Sequence, residues 1–297
     1  MFVYLTAADL NIFHTFLVLE VSSKKWIIGG FPESISAHPS TLRITKNKPD
    51  RSRASLEAKE YGQEAGVHCG AVLISSSSAI TAAHCLSNVA LGIGSGFGSD
   101  DYKIRECAPS HQKKHPNYSS IYFSNDIAVL KSDKKFKFTT NVFPANIPTR
   151  MPVNNRPSTV CGWGSISYPS LDYPSELMCA DNIIMDRSNC INYYGTQIKP
   201  GMICATCPTF EQDACVGDSG GPLFDWFSSE SDSLGCVHEE VIGLVSWGQG
   251  CGTAPGVYTE VFFFKDWIKQ NANDCLYCDN FDFHSNNDDD GRCVIDI

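Results

Sequence analysis

Asp213-Ala214-Cys215-Val216-Gly217-Asp218-Ser219-Gly220-Gly221-Pro222 sets one serine among acidic and glycine residues. The run is too glycine-rich for a helix and poor material for a strand interior. Its glycines and proline mark a tight turn whose backbone can approach a ligand closely. Closely spaced backbone N–H groups in such a turn can hold a developing oxyanion. A serine hydroxyl is a weak nucleophile, so it needs a base and a group that orients the base. Without partners elsewhere in the chain, the run reads as a plain Asp/Ser/Gly turn.

Two other motifs offer those partners. Thr81-Ala82-Ala83-His84-Cys85 puts a histidine at the end of an apolar strand, beside a cysteine that can pin it. Ser124-Asn125-Asp126-Ile127-Ala128-Val129-Leu130 puts an aspartate at the mouth of a buried strand. Taken alone, His84 reads as an ordinary histidine and Asp126 as a turn or cap residue. Together with Ser219 they give the chain order His, Asp, Ser, which differs from the orders of subtilisins and α/β-hydrolases.

The chain has 297 residues, enough for one large or two medium domains. Hydrophobic content of 42% and charged content of 19% suit a globular protein. Net charge is 23 − 33 = −10, which argues against sequence-independent binding of nucleic acid. Fourteen cysteines point to an oxidising compartment and disulfides. The Cys-x-x-Cys pairs Cys204/Cys207 and Cys275/Cys278 lack flanking spacing that would favour zinc, and no metal or cofactor is expected.

Residues 1–26 lack a basic n-region, and Asp9, His14 and Glu20 interrupt their apolar residues. Ile12 to Leu19 is too short an apolar stretch to span a membrane. This is either a poor signal peptide or a segment that does not represent the true N-terminus. Residues 31–67 are polar, with Arg43, Lys46, Lys48, Arg51, Arg53 and Lys59 close together, and read as a solvated surface loop. From Cys69 onwards, short apolar runs alternate with turn signals. Ala71–Ile74, Ile127–Leu130 and Val241–Val245 look like buried strands. Helical periodicity first appears at Phe264, Trp267 and Ile268, spaced i, i+3, i+4. The pattern is all-β, closed by one helix. In the tail, 273–297, Asn286-x-Asp288-x-Asp290-Gly291 faintly echoes a calcium loop, but Ile297 stands where a bidentate carboxylate is needed. The tail reads as acidic and solvated.

These motifs resemble the trypsin-like, chymotrypsin-fold serine proteases. The resemblance runs from Ile27 to about Asn273. It rests on Ile27-Ile28-Gly29-Gly30, the His84 and Asp126 motifs, Gly162-Trp163-Gly164, Gly217–Pro222, Ser246-Trp247-Gly248 and Pro255-Gly256-Val257-Tyr258, all in order. It implies two six-stranded antiparallel β-barrels with a C-terminal α-helix and a site in the crevice between them. Barrel 1 is expected over about 27–145, barrel 2 over about 146–260 and the helix over about 264–272. A pre/pro segment (1–26) precedes this peptidase domain (27–272), and the chain crosses between barrels near Phe143–Pro148.

By resemblance, Ser219 is the nucleophile and His84 the general base, then acid. Asp126 orients the imidazole, and the N–H groups of Gly217 and Ser219 form the oxyanion hole. Asp213, six residues before Ser219, matches the floor of the pocket for the cleaved residue. A buried carboxylate there calls for a substrate Arg or Lys. Ser246, Gly248 and Gly256 match its walls. Ala214 stands where trypsins often carry serine, which favours arginine over lysine. The amine of Ile27, once freed, would insert beside Asp218. Relatives carry Arg or Lys before that bond, whereas this chain has Lys24-Lys25-Trp26. Either activation is unusual or residues 1–26 reflect a misjudged gene boundary.

The resemblance pairs Cys69–Cys85, Cys161–Cys236, Cys190–Cys204 and Cys215–Cys251. Cys107, Cys179, Cys207, Cys275, Cys278 and Cys293 remain, with 15 ways to pair. Cys179 matches a trypsin cysteine whose usual partner position is Glu33 here. The family's calcium loop would lie near Leu91–Gly94, where carboxylates are missing, so no calcium is expected. The implied protein is an extracellular, monomeric endopeptidase, made as a zymogen. Its expected partners are Arg/Lys-containing peptides and protein protease inhibitors. The rivals are a silent homologue that only binds partners, although no triad member is replaced, and a disulfide-rich binding domain, which leaves the triad order unexplained.

Overall fold

A computed structural model of the chain describes residues 27, 29–46, 67–86, 91–94, 105–168, 171–227, 238–272, 286–287 and 293–294. After β1 (Phe31–Pro32), the first sheet takes β2 (Thr41–Lys46), β3 (Val67–Leu73), β4 (Ser78–Thr81), β5 (Leu91–Gly94), β6 (Arg105–Cys107), β7 (Gln112–Lys114) and β8 (Ala128–Lys131). Their order is β6-β5-β2-β3-β4-β8-β7. The two edge strands are joined by Ala108 and the 3-10 turn Pro109–His111, so the sheet curls on itself. Pro109 has no N–H to give a ladder, and this break makes seven short strands where six were expected.

The second sheet takes β9 (Pro157–Gly162), β10 (Met178–Met185), β11 (Met202–Thr206), β12 (Pro222–Phe227), β13 (His238–Trp247) and β14 (Gly256–Glu260). They run β10-β11-β14-β13-β12-β9, and β9 pairs again with β10, which closes a six-stranded antiparallel barrel. β1 adds to its outside through Phe31 opposite Cys179.

Alternation explains why the strands read as unbroken apolar runs. In β3, Cys69, Ala71 and Leu73 fill the first sheet's interior, while Val72 joins a second core facing the barrel. At β8, Ala128 and Leu130 point inward, while Ile127 and Val129 point to that same shared core. Successive residues lie on opposite faces, and here both faces are covered. Phe224, Val241 and Leu244 meet the shared core from the barrel side. The barrel's own interior holds Ile27, Val160, Leu223, Ile242 and Tyr258.

Three expectations need correction. Residues 31–67 are not one surface loop: β2 lies there, with Leu42 and Ile44 fully buried. Its charges alternate with apolar residues, which is a strand signal that the local basic count obscured; residues 47–66 lie outside the described set. A helix was missed at α1 (Arg187–Tyr194). Ser188, Asn189 and Asn192 break its apolar period, and its one sequence signal is the cap: Asp186 accepts from the Ser188 N–H at 2.8 Å. Lastly, Cys161 bonds to Cys179 rather than Cys236. The two face each other on β9 and β10 with Cα atoms 4.2 Å apart, close to the spacing of a non-hydrogen-bonded pair. Cys236 lies outside the described residues.

The other three implied disulfides form: Cys69–Cys85, Cys190–Cys204 and Cys215–Cys251. The predicted C-terminal helix is α2 (Lys265–Asn271), entered through a 3-10 turn at Phe262–Phe264, with Ile268 in the shared core. Near Phe143–Pro148 the chain passes between sheets: the Ala145 N–H donates to Leu73 O at 2.9 Å and the Asn146 N–H to Glu239 O at 2.9 Å. In the tail, Asn286–Asn287 pairs with Cys293–Val294; the acidic run between them is outside the described residues. Among the described residues no helix is long and apolar enough to cross a membrane.

Candidate active site

His84 sits in the 3-10 turn Ala83–Cys85, directly after β4, and the Cys69–Cys85 bond ties that turn to β3. Asp126 precedes β8, which pairs with β4. Strand pairing thus brings together two residues 42 positions apart. The His84 Nδ1 lies 2.7 Å from Asp126 Oδ2, and the His84 backbone N–H donates to Asp126 Oδ1 at 3.0 Å. The His84 side chain is 22% exposed and that of Asp126 fully buried. With Nδ1 protonated toward the carboxylate, Nε2 is left as a proton acceptor.

Sequence reasoning missed a third donor to that carboxylate. The Ser246 hydroxyl, placed among the pocket walls by resemblance, donates to Asp126 Oδ2 at 2.6 Å. Thr259 Oγ1 also donates to the Asp126 carbonyl at 2.8 Å. Both come from the barrel, so Asp126 is fixed from both sheets and its buried charge is satisfied.

Ser219 is brought to the same place by its loop. The Gly70 N–H donates to Ser219 O at 2.8 Å, and Cys85 Sγ lies 3.4 Å from that oxygen. A Cβ on Gly220 would stand 2.1 Å from Thr81 Oγ1, and Gly220 has φ +77°. Only glycine allows this approach of the serine loop to the end of β4. Gly217 has φ +103°. Among the described residues, neither the Gly217 nor the Ser219 backbone N–H has a hydrogen-bond partner.

Asp213 is 6% exposed. One carboxylate oxygen accepts the Gly252 N–H at 2.8 Å, beside the Cys215–Cys251 bond. Among the described residues it has no ion-pair partner. Burial pushes its carboxyl up to about 7. A Cβ on Gly256 would sit 3.2 Å from Asp213 Oδ1, and one on Gly248 would sit 4.0 Å from Gly256 Cα. Gly248 and Gly256 therefore lie close together, with Gly256 beside Asp213 and Gly248 exposed. The Tyr258 hydroxyl, buried without a partner among the described residues, lies beside Gly256 as well. Ala214 is half-buried against the barrel interior.

Asp218 is fully buried and accepts the Gly164 N–H at 2.7 Å and the Cys215 N–H at 2.9 Å. Burial pushes its carboxyl up to about 6. A Cβ on Gly162 or Gly164 would strike this carboxylate, which accounts for the Gly-x-Gly of that motif. Ile27 is also fully buried, in the barrel interior.

An imidazole held by a carboxylate, a serine on a glycine-built turn and two free N–H groups define the serine hydrolase class. Known proteins similar to this chain agree with that class. Residues 27–268 match the family described as Trypsin. Trypsin delta of Drosophila melanogaster is 32% identical over 257 residues, covering 83% of this chain and 88% of the relative. Human (Homo sapiens) kallikrein-7 is 34% identical over 208 residues, covering 68% and 76%. The structure of neuropsin, a serine protease expressed in the limbic system of mouse brain, superposes with a TM-score of 0.67 at 25% identity, covering 82% of this chain and 98% of that one. The chain belongs to the trypsin family and is a trypsin-like serine endopeptidase.

Proposed function

We propose that this protein is a secreted endopeptidase that cuts peptide bonds after arginine or lysine, arginine favoured. The carrying observation is Asp213: a buried carboxylate with no ion-pair partner among the described residues, with Gly256 beside it and Gly248 next to Gly256. Such a group is costly unless a cation reaches it, and a substrate guanidinium does. Ala214 offers no hydroxyl for a lysine ammonium. In this reading His84 Nε2 takes the Ser219 proton as Oγ attacks the carbonyl carbon, and Gly217 and Ser219 N–H groups hold the oxyanion. His84 returns the proton to the leaving amine, and water then frees the acyl group from Ser219. The working unit is the span 27–272, with 1–26 as pre/pro segment and 273–297 as tail, acting as a monomer open to protein inhibitors. A burst of product from an arginine ester, followed by steady turnover, tests the reading; no burst and no turnover by the activated protein would overturn it.

The pocket carries a pH signature. Burial raises its carboxyl to about 7, so acid protonates Asp213 and removes the charge that a cation needs. Affinity for an arylamidine cation should be flat above about pH 7 and weaken up to tenfold per unit below it. Calorimetric titration of cleaved Ser219→Ala measures this, and Asp213→Asn should abolish the slope.

The zymogen step rests on Asp218 and Ile27. No cation among the described residues faces Asp218. Ile27 holds φ +33°, costly for a β-branched residue. Cutting before Ile27 frees an ammonium for Asp218 and removes the φ restriction, because a chain-terminal residue has no preceding carbonyl. A protease that cuts after aromatics is expected to give active enzyme. Trypsin, cutting after Lys25, is expected to leave Trp26 attached and the product latent. N-terminal sequencing of the active form decides between them; an active enzyme beginning at Trp26 would sink the insertion step.

A further inference from the structure

Asn117-Tyr118-Ser119 is the one Asn-x-Ser/Thr triplet in the chain. Such a triplet, with any residue but proline in the middle, accepts N-linked oligosaccharide on the secretory route. The fold presents it for that use. After β7 the chain turns at His115–Tyr118, where the Tyr118 N–H donates to His115 O at 3.1 Å. Pro116 takes the second turn position, which its fixed φ suits, and Asn117 takes the third. Tyr118 packs against the interior of the first sheet, while Asn117 is exposed. The Asn117 backbone is engaged: its N–H donates to His115 Nδ1 at 3.3 Å, and its carbonyl accepts the Asn125 side-chain amide at 2.9 Å. Its own side-chain amide and the Ser119 hydroxyl have no hydrogen-bond partner among the described residues. A sugar on Asn117 Nδ2 therefore displaces no bond of the fold. Beside it, Ile121 is 80% and Tyr122 58% exposed, at the tip of a turn closed by the Ser119–Ser124 bridge. Adjacent large apolar groups this exposed call for a cover.

We propose that Asn117 carries an N-linked oligosaccharide, which covers the apolar tip at Ile121 and Tyr122. The inference rests on the secretion reading above. The donor is an oligosaccharide linked to a polyprenyl pyrophosphate. Asn117 Nδ2 attacks its anomeric carbon, a C–N bond forms, and the C–O bond to pyrophosphate breaks. The lipid pyrophosphate leaves with that electron pair, and the amide proton passes to a base of the transferase. Transfer takes place on the unfolded chain, so the folded structure has only to tolerate the product, and the exposed, unbonded Asn117 side chain does so. The same turn decides what the sugar covers. Asn117 is tied to Asn125, at the far end of the turn, so the sugar is rooted beside the tip. Ile121 lies four residues from Asn117, and their Cα atoms are at most about 14 Å apart. A branched oligosaccharide of several sugars covers that distance, and its tether keeps it there at high local concentration.

The test uses the full chain, secreted from a eukaryotic cell behind an added leader. The tryptic peptide spanning residues 115–131 is weighed before and after treatment with a peptide-N-glycosidase. It should carry a hexose and N-acetylhexosamine mass that the enzyme removes, leaving the small mass gain of an amide converted to an acid at position 117. Ser119→Thr should keep the sugar and Ser119→Ala should lose it, with Asn117 itself unaltered. The wild-type peptide decides the site even where a variant fails to fold. The covering role is read with a dye that binds exposed apolar surface. Its signal should rise when the sugar is cut from the folded protein, and the rise should vanish in the Ile121→Ser, Tyr122→Ser double variant. Secreted protein with its disulfides formed and Asn117 unmodified would overturn the site and leave the secretion reading standing. A sugar whose removal leaves dye binding unchanged would overturn the covering role. Natural protein held inside the cell with reduced cysteines would overturn secretion, and the glycan with it.

Discussion

Ser219→Ala is expected to lower kcat on an arginyl amide by about 10⁶. The reason lies in the bonding around His84. Its Nδ1 is committed to Asp126 at 2.7 Å, and Asp126 is itself held by Ser246 and the His84 backbone. The imidazole is therefore useful only through its other nitrogen, and only if a hydroxyl is there to give a proton. His84→Ala should cost about as much, because the serine then loses its base. The double variant should be little worse than either single one, since the residues act as a unit. What survives is the contribution of the Gly217 and Ser219 N–H groups and of substrate binding. Measured kcat for the three variants decides the matter: losses that multiply would show two independent contributions and sink the triad assignment.

Asp213→Ser is expected to cost about 10³-fold in kcat/KM for arginyl peptides. Removing one partner of a buried, hydrogen-bonded charge pair typically costs about 2–5 kcal/mol, and every 1.4 kcal/mol is a factor of ten. Selectivity should move away from basic residues, because the pocket proposed between Gly248 and Gly256 keeps its glycine walls but loses its carboxylate. Peptides differing only at the cleaved residue provide the readout, and the wild type should prefer Arg over Lys. Strong wild-type cleavage after Phe or Leu would sink the pocket assignment.

The residues behind both expectations are legible in the sequence, because the chain states their chemistry locally. Gly217–Pro222 is a turn for backbone reasons, and a serine in it needs a base. The short apolar runs at Ala71, Ile127 and Val241 became strands because both of their faces are covered. Three cysteine pairs formed as the resemblance implied, since each is held close by neighbouring strands or turns.

Where local pattern ran out, pairing across the fold decided. The choice of Cys179 for Cys161 depends on the register of β9 against β10, which spacing along the chain does not express. The strand hidden in the basic stretch at Thr41–Lys46 is fixed by β3 and β5 on its two sides, not by its own composition. The helix at Arg187–Tyr194 carries almost no apolar period and is held by its Asp186 cap and by the Cys190–Cys204 bond. Ser246 reaches Asp126 across 120 positions of sequence, and Phe123 and Tyr173 approach His84 and Gly217 from loops outside the strands. Residue types and their order established the class of chemistry. Which side chains surround it was settled by strand register and by the contact between two sheets, because hydrogen bonds and close packing act through distance in space rather than separation along the chain.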